Sequence, residues 1–404
     1  MASFEIFNLR KQLKNAIDDL GFTSPTPIQE ESFSTVLSGK DVLGIAQTGT
    51  GKTLAYMLPI LDELTFSNQL NPRILIIVPT RELVLQVVEE VEHFTKYITC
   101  RTIGVYGGVN INRQRHALVE GSDIVVATPG RLYDLVLSQS LILKGIKKLV
   151  IDEVDVMLDL GFRPQLANIM ELLPDRRQNI MYSATMTDHV EELINNFFIA
   201  PVKISIAVSG TPLDNITQTS YSVPNFYTKV NLLEHLLKDK EEFKKVLVFT
   251  SFKKHADKIF ENIDAQFGSE SCVIHSNKSQ NYRIRSIEEF DLGKNRILIA
   301  TDVMARGLDL DKISHVINFD TPSFPENYMH RIGRTGRAEE EGKAILFYTE
   351  KEEDAKKAIE SLMNVDIPLS KFPESVDISY ELLPEEEPDD GMSKNPDRNT
   401  KKRE

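Results

Sequence analysis

Ala46, Gln47, Thr48, Gly49, Thr50, Gly51, Lys52 and Thr53 form a run whose residue types suit a polyphosphate. Glycines on either side of Thr50 let backbone N–H groups converge on phosphate oxygens, and a helix opening there adds positive potential. The Lys52 ammonium would reach the β- and γ-phosphates, and the Thr53 hydroxyl would ligate Mg²⁺. Much further along, Asp152 and Glu153 close the apolar run Leu149-Val150-Ile151. Two carboxylates at the carboxyl end of a buried strand sit where open α/β sheets bind ligands. Asp152 would hold the metal and Glu153 would polarise an attacking water. A solvated acidic turn is the plainer reading of this pair, but the 46–53 loop disfavours it, because phosphate and metal need such a partner.

These residues need a scaffold, and the chain supplies one by alternation. Short β-branched runs at 41–46, 73–79, 123–128, 147–152 and 179–183 read as buried strands, with amphipathic stretches of helical length between them. The pattern predicts a parallel sheet covered on both faces. It weakens over the Gly/Pro/Asn-bearing stretch 209–215 and restarts with runs at 245–250, 272–275, 296–301, 315–319 and 344–348. The expected organisation is a first α/β domain over 1–208, a linker over 209–217, a second α/β domain over 218–366 and a tail over 367–404. The tail is acidic at 385–390, basic at 401–403, and expected to be disordered from about 373. The halves show no sequence-level repeat.

Composition narrows the classes. A chain of 404 residues suits roughly two to three domains. Hydrophobic and charged fractions of 41% and 26% are those of a globular protein. The net charge of −13 argues against a passive nucleic-acid coat, though not against a local basic cleft. Two cysteines, Cys100 and Cys272, are too few and too distant for a disulfide framework or zinc site. No apolar run approaches the ~20 residues of a membrane span, and the N-terminus does not read as a signal peptide. The expectation is an intracellular protein.

Asp152-Glu153-Val154-Asp155 resembles the Asp-Glu-Ala-Asp signature of the DEAD-box RNA helicases, and the family's other motifs follow in the family's order over roughly residues 4–365. The resemblance implies two tandem RecA-like domains, each a mostly parallel sheet with helices on both faces. Residues 21–29 are similar to the adenine-reading motif, which implies that Gln29 reads the adenine edge. The family's stacking aromatic stands 17 positions ahead of the motif's glycine, which from Gly21 lands on Phe4, with Phe7 as competitor. Pro79-Thr80-Arg81-Glu82-Leu83, Gly107-Gly108 and Thr128-Pro129-Gly130-Arg131 resemble the RNA-backbone motifs of the first domain, implying contacts from Thr80, Arg81, Gly108, Thr128 and Arg131. Hydroxyls, glycine N–H groups and arginines grip phosphates without reading bases.

In the second half the resemblance assigns RNA contacts to Thr250, Gln280, Arg283 and Thr301, and a nucleotide contact to Asp309. Ser183-Ala184-Thr185 matches the motif coupling ATP state to RNA binding. His330-Arg331-Ile332-Gly333-Arg334-Thr335-Gly336-Arg337 implies Arg334 and Arg337 as arginine fingers at the γ-phosphate, and His330 as a contact to Asp155 and the region of Ser183 and Thr185. Val154, Val84 and Ser276 depart from the family's usual Ala, Ala and Gly; none is a group assigned to chemistry.

The expected protein is an ATP- and Mg²⁺-using RNA helicase of bacterial, cytoplasmic type. It would be a monomer that binds RNA with little sequence preference and has no membrane partner. An ATP-gated RNA clamp with little turnover, and a DNA-translocating helicase, are the other readings.

Overall fold

The computed structural model describes residues 3–46, 50–206, 215–302, 310, 312–336 and 341–387. The first half contains strands β1 Val42–Ile45, β2 Ile74–Ile77, β3 Thr102–Val105, β4 Ile124–Ala127, β5 Lys148–Ile151, β6 Gln178–Ser183 and β7 Val202–Ser205. They form one sheet in the order β3-β4-β2-β5-β6-β1-β7, every pair parallel. Parallel neighbours need crossovers, and here these carry helices. Both faces are therefore buried. Ile74 and Ile76 enter one apolar core, and Leu75 and Ile77 enter the other.

The second half repeats the plan with β8 Ile216–Ser222, β9 Val246–Thr250, β10 Ser271–Ile274, β11 Ile297–Thr301, β12 His315–Asn318 and β13 Gly342–Tyr348. Their order is β10-β11-β9-β12-β13-β8, again parallel throughout. Val246 and Val248 face one core, and Leu247 and Phe249 the other.

Two boundary expectations are corrected. β8 starts at Ile216, inside the expected linker, and residues 207–214 lie outside the described residues. The segment from 373 to 387, expected to be disordered, packs as a strap on the second domain. Val376 and Leu383 are buried in its core, and Phe372 packs against it. Ser379 N donates to Thr228 Oγ1 at 3.0 Å, Asn225 Nδ2 donates to Ser379 O at 2.6 Å, and Phe226 N donates to Glu386 Oε1 at 2.8 Å. Apolar anchors outweigh the acidic composition because the helix Phe226–Leu237 presents side-chain and backbone partners along its start.

Candidate active site

Register brings the chemistry to one rim. Ile45 pairs with Ser183 and Ile151 with Met181, so the carboxyl ends of β1, β5 and β6 emerge side by side. Ala46, Asp152 and Ser183 are the residues found there, where α/β sheets place their ligands.

Gly51 adopts φ +84° before the helix Lys52–Glu63. A Cβ at this position would also overlap the Gln29 amide. Gln29 sits in the first turn of the helix Pro27–Leu37, where Thr26, Pro27 and Gln29 make a capping box with proline at the first position. Its Oε1 accepts from Thr26 N at 3.0 Å, and its Nε2 donates to Gly51 O at 3.2 Å. Gln29, expected to read adenine, is thus tied to Gly51 of the run expected to hold phosphate. Phe4 and Phe7 share a short 3-10 turn. Phe7 stacks on Phe33, with centroids 4.4 Å apart and planes at 22°. Phe4 meets Phe7 edge-on at 5.9 Å. Lys52 is buried and donates from Nζ to Ala46 O at 2.8 Å. Thr50 and Thr53 lie on either side of that lysine and its glycine.

Asp152 is 3% exposed. Burial pushes its carboxyl up to about 6, reinforced by the Glu153 charge and opposed by that of Lys52. Its Oδ1 accepts from Glu153 N at 2.9 Å. Glu153 holds φ +52°, a left-handed conformation that costs a non-glycine residue about 1–3 kcal/mol. Its Oε2 is buried without a hydrogen-bond partner. A buried acceptor without a partner beside a carboxyl of raised pKa could take a water or face a cation. Asp152 and the Thr53 hydroxyl offer oxygen ligands, which suit Mg²⁺. Among the described residues, no group of three or more His, Cys, Asp or Glu side chains is arranged to hold a metal ion by itself.

Asp155 links the two halves. Its Oδ2 accepts from Ala184 N, Thr185 N and Thr185 Oγ1, each at 3.1 Å. Ser183 Oγ donates to Thr185 O at 2.6 Å, fixing the turn. From the other domain, His330 Nε2 lies 3.5 Å from the same Oδ2, with both side chains under 10% exposed. Burial alone would raise the Asp155 carboxyl; the hydrogen bond and charge of His330, aided by Lys52, outweigh it and hold the group well below the usual range.

Among the residues expected to contact RNA, Thr80 caps the helix Arg81–Phe94 by accepting from Leu83 N at 3.2 Å. Thr128 stands at the start of the helix Pro129–Leu137. Arg131 donates to Gln114 Oε1 at 2.6 Å and Val109 O at 3.0 Å. Gly108 has φ +77°, and a Cβ there would overlap the Arg81 guanidinium. Arg81 Nη1 crosses to the second domain and donates to Gln280 Oε1 at 2.9 Å, while Gln280 Nε2 donates to Glu82 Oε1 at 3.2 Å. Arg283 is buried, with Nη1 3.5 Å from Glu82 Oε1 and Nη2 donating to Gln280. Expected as RNA contacts, Gln280 and Arg283 thus stand as a bridge between domains. Thr250 is likewise fully buried and donates to Asp320 Oδ2 at 2.8 Å. Thr301 ends β11, and Arg334 is 2% exposed. Gln47, Thr48, Gly49, Asp309 and Arg337 lie outside the described residues.

Sequence reasoning missed Arg331. It is fully buried, donating to Asp302 Oδ1 at 2.5 Å, Asp302 Oδ2 at 2.8 Å and Asp320 O at 2.9 Å. Burial opposes its charge, but the Asp302 and Asp320 carboxylates outweigh this and raise its pKa. It joins the ends of β9, β11 and β12 behind the helix Pro325–Ile332.

Two parallel sheets in series, with a phosphate loop and paired carboxylates on one rim and a His/Arg helix end meeting them from the other domain, define a tandem RecA-like helicase core. Residues 26–193 match the DEAD/DEAH box helicase family, and residues 228–339 match the helicase conserved C-terminal domain. The chain is 38% identical over 360 residues to the DEAD-box ATP-dependent RNA helicase CshA of Bacillus cereus, covering 89% of this chain and 68% of that protein. The chain belongs to the DEAD-box helicase family. It is also 38% identical over 382 residues to the ATP-dependent RNA helicase DeaD of Buchnera aphidicola, covering 94% of this chain but only 63% of that relative's length. Among solved structures, Saccharomyces cerevisiae Dbp5 bound to RNA and ADP BeF3 superposes with a TM-score of 0.83 at 27% identity, covering 93% of this chain and 96% of that one. Among the described residues, no helix is long and apolar enough to cross a membrane.

Proposed function

We propose that this chain is an RNA-stimulated ATP hydrolase that separates short RNA duplexes or remodels RNA–protein complexes, acting as a cytoplasmic monomer. The observation that carries the proposal is the meeting of His330 and Asp155 at 3.5 Å, which joins the second domain to the carboxylate signature of the first. Gln29 and Phe4 hold the adenine; Phe7 is the weaker candidate, since one of its faces is taken by Phe33. Lys52 neutralises the terminal phosphates. Asp152 and Thr53 would hold Mg²⁺, which when bound would supply Lewis-acid charge for phosphoryl transfer. Glu153 orients the attacking water through its free Oε2. Arg334, with Arg337, brings positive charge to the phosphates as the domains close. Asp155 gathers Ser183, Thr185 and His330 so that closure and RNA contact move together. Thr80, Arg81, Gly108, Thr128, Arg131 and Thr301 grip the backbone, with RNA preferred over DNA through 2′-hydroxyl contacts.

Lys52, Glu153 and Arg334, all present and buried, favour turnover over a passive clamp. Steady-state ATP hydrolysis measured with single-stranded RNA, with DNA and with no nucleic acid tests the reading. Stimulation by RNA alone is expected. Equal stimulation by DNA would favour a DNA helicase, and an ATP-dependent RNA complex with negligible turnover would favour a clamp.

A further inference from the structure

Tyr56 lies on the phosphate-loop helix, one turn beyond Lys52, and is completely buried. Its hydroxyl faces the Asp152 carboxylate and the Thr53 hydroxyl, the two groups read above as the metal ligands. The hydroxyl is buried and has no hydrogen-bond partner in this structure. A buried phenol without a partner is unfavourable for folding, so phenylalanine would serve packing alone better. The ring itself is firmly placed. It packs on Tyr182 with centroids 5.7 Å apart, and the Tyr182 hydroxyl donates to Ser32 Oγ on the Gln29 helix at 2.7 Å. Gly44, paired with Tyr182 in the sheet, leaves the space for that second ring, which a Cβ would overlap. The two tyrosines therefore form a buried floor under the nucleotide site. Only Tyr182 has its hydroxyl satisfied.

Resting on the nucleotide-site reading, we infer that Tyr56 is a positioning residue for Mg²⁺. Its hydroxyl donates to the buried side of Asp152 when the metal draws that carboxylate into place, fixing which oxygen faces the cation. Outer partners that orient a ligating carboxylate typically change metal affinity by about 10- to 100-fold. The role is separable from packing, because the removed atom makes no hydrogen bond in the metal-free arrangement.

The test measures binding of a fluorescent ATP analogue to wild type, Tyr56→Phe and Tyr182→Phe, in Mg²⁺ titrations and in EDTA, with thermal unfolding of each protein. Tyr56→Phe is expected to need about 10-fold or more Mg²⁺ for half-maximal tight binding, with unchanged affinity in EDTA and a melting temperature equal to or above wild type. Tyr182→Phe, which loses the Ser32 hydrogen bond, should melt lower and keep wild-type Mg²⁺ dependence. A Tyr56→Phe protein with wild-type Mg²⁺ dependence overturns the proposal and leaves Tyr56 as packing. So does a loss of affinity that is equal with and without Mg²⁺. Wild-type protein whose ATP affinity ignores Mg²⁺ would instead overturn the nucleotide-site reading itself.

Discussion

Replacing His330 by alanine removes one contact from Asp155 and leaves the other three. Ala184 N, Thr185 N and Thr185 Oγ1 still donate to Oδ2 at 3.1 Å, so the first domain keeps its own arrangement. What is lost is the link from the second domain. A hydrogen bond to a charged group contributes about 1.5–3 kcal/mol. At 3.5 Å the His330–Asp155 contact is longer than the ~2.7–3.2 Å of an N–H···O hydrogen bond, so no more than the lower figure applies. About 1.5 kcal/mol is roughly a tenfold shift in the closed population. The assay is ATP hydrolysis against RNA concentration. The RNA needed for half-maximal stimulation should rise about tenfold, while ATP affinity without RNA and the melting temperature stay near wild type. An unchanged RNA dependence would refute the idea that this contact couples closure to RNA. A parallel loss of ATP affinity without RNA would show that the contact shapes the first domain instead.

Two further outcomes follow from burial. Burial lowers His315 from 6.5 to about 4, against the opposing charge of Glu242. A depressed pKa means the unfolded chain takes up the proton first, so stability is complete above pH 6.5 and falls as pH drops toward 4, by up to about 3 kcal/mol. Urea unfolding at pH 7 and pH 4.5 should show a smaller drop for His315→Gln than for wild type; parallel profiles would contradict the assignment. Leu383→Ala in the strap, at a residue 3% exposed, should cost about 2 kcal/mol, the low end for a buried leucine at an edge that can relax. A denaturant midpoint equal to wild type would mean that the strap contributes nothing to the second domain.

The parts legible in the sequence were those whose meaning is local. The phosphate loop, Asp152 and Glu153 could be read because each sits beside the apolar run that ends in it. Ten strands could be read for the same reason. β3, β7 and β8 were missed, and all three are edge strands. Only Val105 is buried in β3 and only Ile204 in β7, so neither carries a continuous apolar run. Arg331 was hidden because its role depends on Asp302 and Asp320 arriving from separate strands. Gln280 and Arg283 could be spotted by spacing, but their Arg81 and Glu82 partners lie in the other domain and no spacing reveals them. The strap was misread because composition counts its carboxylates and overlooks Val376 and Leu383.

The central claim is that nucleotide state controls the grip on RNA through closure of the two domains. Glu153→Gln keeps Asp152 and Lys52, so ATP should still bind, while the water loses the carboxylate that orients it. The decisive measurement is the equilibrium affinity of this variant for a labelled single-stranded RNA, with and without Mg²⁺–ATP. The account predicts tight RNA binding only with ATP, held as a long-lived complex because hydrolysis is slowed. RNA affinity that is the same with and without ATP would contradict it.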